Sequence, residues 1–140
     1  MLFKGLEISQ TGMAAQKIRI DIVSSNLANI NSTNDINTEP YRRKIPVFEA
    51  VLDSEMEEGK NLPLAKVRVK EVVEDPSPFK LKYDPSNPLA DENGYVRLPN
   101  IDPMREMVDM MSAMRSYEAN LTSFNTHKDM LLKALEILRV

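Results

Sequence analysis

Residues 102–140, DPMREMVDMMSAMRSYEANLTSFNTHKDMLLKALEILRV, decide the fold. Asp102 can cap a helix by accepting from a backbone N–H, and Pro103 suits the first helical position because it has no N–H to leave unpaired. No Gly and no further Pro interrupts the chain from there to Val140. Met104, Met107, Met111, Met114, Tyr117, Leu121, Phe124, Lys128, Leu131, Leu135 and Leu138 recur at steps of three and four, the stripe of one helical face. A helix of this extent reaches about 55 Å at 1.5 Å per residue. Such a rod needs a partner helix.

The N-terminus supplies one. Leu6, Met13, Ile20 and Leu27 are spaced by sevens, with Ser9, Gln16, Val23 and Ile30 in the companion positions. The predicted helix–helix seam is therefore Leu6, Met13, Ile20, Val23 and Leu27 against Met107, Met111, Met114, Leu121, Leu131 and Leu135. Ile18 and Ile22 give the first helix a second apolar strip, and Met110 and Met130 lie off the main stripe of the last helix. These four are candidate intersubunit contacts, because apolar strips left over on both helices point to assembly.

All 9 prolines fall between Pro40 and Pro103, so the chain has three parts: an N-terminal helical segment 1–33, a middle 34–101 and a C-terminal helix 102–140. In the middle, Tyr41–Phe48, Lys66–Lys70, Phe79–Tyr83 and Tyr95–Leu98 read as short strands, separated by turn signals such as Asp84-Pro85-Ser86-Asn87-Pro88 and Asn93-Gly94. Glu55–Asn61 reads as a mobile tip. The expected fold is α+β, with two long terminal helices paired as an antiparallel coiled-coil-like unit and a small antiparallel β module inserted between them.

Composition removes whole classes of chemistry. With no Cys there is no disulfide scaffold, CxxC redox site or thiolate zinc site. No apolar run exceeds three residues, which argues against a spanning helix or the core of a cleavable signal peptide. The single His127 has no second histidine at ligand spacing, and no GxSxG, P-loop or GxGxxG occurs. His127 reads as a solvated or interface residue, and no enzyme activity, cofactor or metal is expected. Tyr41-Arg42-Arg43-Lys44 is the one compact basic cluster. A net charge of −3 and flanking Glu39 and Glu49 make a strand-edge or intersubunit salt bridge a better reading than nucleic acid.

Ser24–Thr33 is more distinctive: its Asn and Ser side chains compete for backbone hydrogen bonds and tolerate left-handed conformations, so they end a helix. Ser9–Arg19, followed by Ser25, Asn26, Leu27, Ala28, Asn29, Ile30 and Asn31, resembles the N-terminal signature of bacterial flagellar axial proteins, the rod and hook family. Tyr117, Glu118, Ala119 and Asn120 look like the matching C-terminal signature, and Tyr41 occupies the position of the Tyr after the first motif, here with a Pro-led approach. Tyr83–Asp91 and Gly94–Asp102 look like proximal rod members in particular.

The resemblance implies a structural subunit of the flagellar basal-body rod, needed for motility, that assembles helically to carry torque to the hook. It implies a location in the periplasmic part of the rod, reached by export without a cleaved signal. Its implied partners are other rod proteins, copies of itself and the flagellar type III export apparatus, with contact to peptidoglycan left open. The alternative from the residues alone is a soluble coiled-coil adaptor or export chaperone, which holds a partner's helix in a groove.

Overall fold

The computed structural model describes residues 2–52 and 64–139. The expected tip at Glu55–Asn61 lies outside the described residues. The elements run α1 (Leu2–Ala28), β1 (Lys44–Leu52), β2 (Ala65–Glu74), β3 (Lys80–Tyr83), β4 (Tyr95–Leu98) and α2 (Pro103–Leu138). This is the expected α+β arrangement of two long helices flanking short antiparallel strands. No described helix is long and apolar enough to cross a membrane.

Local chemistry sets the helix ends. Asp102 is extended, its carboxylate accepts from Met104 N at 3.1 Å, and Pro103 opens α2. At the end of α1 the Asn29 side chain donates to the Ser25 carbonyl at 2.8 Å, and the Ser32 hydroxyl donates to the Asn29 carbonyl at 2.8 Å. No described residue other than Gly94 has positive φ, so these side-chain bonds, and not a left-handed cap, terminate α1. Gly94, at φ +83, closes the β3–β4 hairpin, where an L side chain would be strained.

The β residues form two separate two-stranded antiparallel ladders. In β1–β2 the register shifts between Val47 and Phe48, leaving Lys70 as the extra residue of a bulge. This ribbon lies along α1. Lys44 is bonded to Asn26 at one end, while Val67 N donates to Thr11 Oγ1 at 3.3 Å and Lys66 pairs with Glu7 at the other. In β3–β4 Tyr83 faces Tyr95 edge-on, with ring centroids 5.2 Å apart.

The helices pair antiparallel in one constant register. Asn26 donates to Glu106, Ser9 Oγ to Ser123 Oγ at 3.1 Å, Gly12 packs on Asn120 and Gly5 on His127. Each step of seven along α1 is matched by seven backwards along α2. The seam of α2 thus follows Glu106, Ala113, Asn120 and His127, of which Glu106 and Ala113 are fully buried. This corrects the expected α2 seam. Met107, Met111, Met114, Leu121 and Leu135 are 41–56% exposed and lie off this face, and Leu131 is half-buried. Counting large apolar residues selected the wrong stripe because close helix approach selects small ones. On α1, Val23 is buried, and Leu6, Met13, Ile20 and Leu27 are half-buried along the flank of the contact.

Among the described residues the buried hydrophobic side chains are Ala15, Val23, Val96, Ile101 and Ala113, with Pro40 and Pro99 also buried. The largest fully buried side chains are Ile101, Glu106, Val23, Asn26 and Pro99. The core is therefore a mixed polar and apolar knot where α1 ends and α2 begins.

Candidate functional site

Asn26 is the hub of that knot, with no exposed surface. Its Nδ2 donates to the Lys44 carbonyl at 2.9 Å and to Glu106 Oε2 at 3.0 Å. Its Oδ1 accepts from Lys44 N at 3.0 Å and from the Tyr41 hydroxyl at 3.0 Å. All the hydrogen-bonding capacity of the amide is used, which fixes its orientation. With the Tyr41 proton directed at Asn26, the Ser25 hydroxyl donates to Tyr41 Oη at 3.3 Å.

Glu106 brings α2 into the same cluster. Its other oxygen accepts from Arg43 Nε, and Arg43 also faces Asp75 at 3.6 Å. Asn100 ties in the chain before α2: its Oδ1 accepts from Arg43 N at 2.8 Å, and its Nδ2 donates to the carbonyls of Asp75 and Ser77. Arg42 stacks on Phe79 with its guanidinium carbon 4.2 Å from the ring centroid. The cluster joins α1, β1, the end of β2, the approach to α2 and α2 itself. No described buried polar side-chain atom is left without a partner. Its chemistry is that of a clasp.

Asp75 is held below its ordinary 3.8 by the hydroxyl and then the backbone N–H of Ser77, with Arg43 adding to them and burial opposing. The folded state therefore binds the Asp75 proton less tightly than the unfolded chain does. Its stabilising contribution is present above about pH 4 and lost as pH falls through the lowered folded value. Wild type and Asp75→Asn should differ in urea midpoint at pH 7, and the gap should narrow by pH 3; a constant gap would show that ionisation is irrelevant.

The other sequence-selected residues fall into three places. Ser25, Asn26 and Tyr41 meet in the clasp, Asn29 caps α1, Leu27 is half-buried, and Ala28 and Asn31 are exposed. Asn120 packs on Gly12 and donates to the Ser116 carbonyl at 2.8 Å, Tyr117 is half-buried, and Glu118 and Ala119 face outward. Of the candidate intersubunit contacts, Ile18 is 41% and Met130 49% exposed, whereas Ile22 and Met110 are half-buried within the chain. Ile22 shares a helical face with Thr11 and Asn26, which hold the ribbon.

Two expectations change. His127 sits against Gly5 inside the chain, its Nδ1 donating to the Ser123 carbonyl at 2.8 Å. Arg43, expected at a strand edge or between subunits, is buried in an intrachain ion pair. No motif in the sequence singles out Glu106, Asp75 or Gly5, and Gly12 and Asn100 enter only as members of the family-like stretches Ser9–Arg19 and Gly94–Asp102. The glycines carried a signal: two of them seven apart inside a helix, where each costs about 1 kcal/mol against Ala, need a packing reason.

A family model described as flagella basal body rod protein matches residues 6–34, which contain Asn26. A second, described as flagellar basal body rod FlgEFG protein C-terminal, matches residues 92–137, which contain Asn100 and Glu106. The chain is 50% identical to the flagellar basal-body rod protein FlgC of Aquifex aeolicus, with 96% of each chain covered. It is 46% identical to that of Bacillus subtilis, covering 96% of this chain and 97% of the relative. The FlgC of Salmonella typhimurium is 43% identical over 94% of this chain and 93% of its own. With likeness on this scale running through the helices, the ribbon and the clasp, the chain belongs to the flagellar basal-body rod protein FlgC family.

Proposed function

We propose that the chain is a structural subunit of the flagellar basal-body rod whose α1–α2 unit is the assembling part, covered along the free face of α2 by apolar helical faces of neighbouring rod subunits. The observation that carries this reading is the apolar surface the fold leaves uncovered. Met104, Met107, Val108, Met111, Met114 and Leu121 are 41–68% exposed along one side of α2. Continuing the seam register places Leu2 opposite Met130, so the last two turns of α2 run on past the start of α1. There Leu132, Leu135, Ile137 and Leu138 are 52–80% exposed. A contact between such a face and a different face of the next molecule builds a helical filament when the rotation between neighbours does not close into a ring.

On this reading the helices form the inner layer of the rod and the β elements its outer module, and torque passes through the packed helices. Partners are other rod subunits, copies of this chain and the flagellar type III export apparatus, with peptidoglycan within reach of the outer module. A free cytoplasmic adaptor or chaperone does not fit a member of this family.

Met107→Glu with Met111→Glu tests the assignment. Both side chains are off the seam, so the isolated chain should keep its helix content and melting midpoint. Incorporation into detergent-extracted basal bodies and swimming should both be lost. A normally swimming strain would refute the docking role of this face.

A further inference from the structure

Thioethers occupy the uncovered face of α2 in an unusual concentration. Met104 (68% exposed), Met107 (52%), Met111 (55%) and Met114 (48%) stand at steps of three, four and three, on successive turns of one side of the helix. The seam residues Glu106 and Ala113 lie roughly a third of a turn round from them, at about 100° per residue. Met13 and Met110 in the same chain are half-buried. Among the described residues the exposed methionines are thus these four and Met130, and the fully buried seam positions of α2, Glu106 and Ala113, include none.

We propose that Met104, Met107, Met111 and Met114 form a reversible oxidation site, at which peroxides convert the thioethers to sulfoxides and prevent α2 from being covered while the helix pair stays folded. The inference rests on the docking role given above to this face. In each step a sulfur lone pair attacks one peroxide oxygen, the O–O bond breaks, and the S–O bond forms. Sulfur loses two electrons, and the second oxygen leaves as water once a proton has moved to it. A sulfoxide turns a flexible apolar side chain into a polar one, and methionine sulfoxide reductases reverse the change. Four in a row replace an apolar stripe with strong hydrogen-bond acceptors that a neighbouring apolar helix cannot satisfy.

Two measurements test this. Purified full-length chain is treated with hydrogen peroxide and mapped by peptide mass spectrometry, with circular dichroism alongside. The four stripe methionines, together with the exposed Met130, should oxidise roughly tenfold faster than Met13 and Met110, since susceptibility follows exposure. Helix content should be retained. Equal rates at all positions, or loss of helix in step with oxidation, would overturn the proposal. In cells, the wild-type chain and a variant with all four stripe methionines changed to leucine are induced during sublethal peroxide exposure. Wild-type incorporation into basal bodies should drop severalfold, while the leucine variant, still apolar but inert, should be spared. Equal behaviour of the two would sink the oxidation site. If Met107→Glu with Met111→Glu blocks assembly in that same case, the docking role survives and the oxidation site alone falls. If that glutamate variant assembles normally, the docking role has failed and the inference with it.

Discussion

Replacing Glu106 with alanine should destabilise the isolated chain by about 3–5 kcal/mol, the range for removing one partner of a buried ion pair. The carboxylate has no exposed surface and takes hydrogen bonds from Arg43 and Asn26. Without it the Arg43 guanidinium, 9% exposed, keeps only Asp75 at 3.6 Å. Asn26 loses its one link to α2. The loss should appear as a lower urea midpoint, and in cells as poor swimming, because the clasp holds the two helices and the ribbon together. Glu106→Leu combined with Arg43→Met should recover part of the stability, since no charge is then left buried and unpaired at the Glu106 site and Asp75 keeps its bonds from Ser77. The remaining cost is the Asn26 N–H that loses its acceptor. A single-variant loss below about 1 kcal/mol would mean that solvent reaches the site freely.

Gly12→Ala should destabilise the chain by about 1–3 kcal/mol, even though alanine is the better helix former. A Cβ at position 12 would stand 2.5 Å from Asn120 Oδ1 and 2.8 Å from its Cγ. Asn120 cannot simply turn aside without giving up its bond to the Ser116 carbonyl. Either that bond breaks or the helices separate, and separation weakens the Ser9–Ser123 contact less than one turn away. Gly12→Ala with Asn120→Ala should return most of the loss, because the new methyl group fills space that the amide vacates. Additive losses in the two single variants would show that the contact does not limit how closely the helices approach. Measurement of the four-membered cycle by thermal melting decides the matter.

Much of the fold was readable because its signals are local. Asp102-Pro103 marks the start of α2, Asn93-Gly94 the turn before β4, and alternation the strands. The face that α2 turns inward was not readable from apolar periodicity. Met107, Met111 and Met114 outweigh Ala113 in such a count, yet Ala113 is buried and the methionines are not. Hydrophobic size reports what must be covered by something, not by what. Here the α2 side of the intrachain contact is made by small and polar residues, and most of the large apolar ones of α2 are left exposed. The clasp was half visible: Asn26 and Tyr41 stood out through the family likeness. Glu106 carries no motif of its own in the first turn of α2, and Arg43 belonged to a basic cluster that read as a strand-edge or intersubunit salt bridge. Their pairing depends on a chain path that no spacing encodes.

The constant seven-residue matching of the seam has a mechanical consequence. Sliding α1 by one heptad towards the start of α2 would set Gly5 against Asn120, Gly12 against Ala113, Ser9 against Ser116 and Arg19 beside Glu106. Small or polar residues, or opposite charges, would meet again at each of these positions, so the seven-residue spacing by itself works like a ruler whose graduations repeat. The zero is engraved towards the Asn26 end, by the Asn26–Glu106 hydrogen bond together with the Arg19–Asp109 ion pair two turns away. Under axial load, a pair that lost this mark would settle by whole increments of about 10 Å at 1.5 Å per residue instead of stretching smoothly. The length of the subunit along its helices is therefore calibrated towards one end, by one amide–carboxylate hydrogen bond and one ion pair.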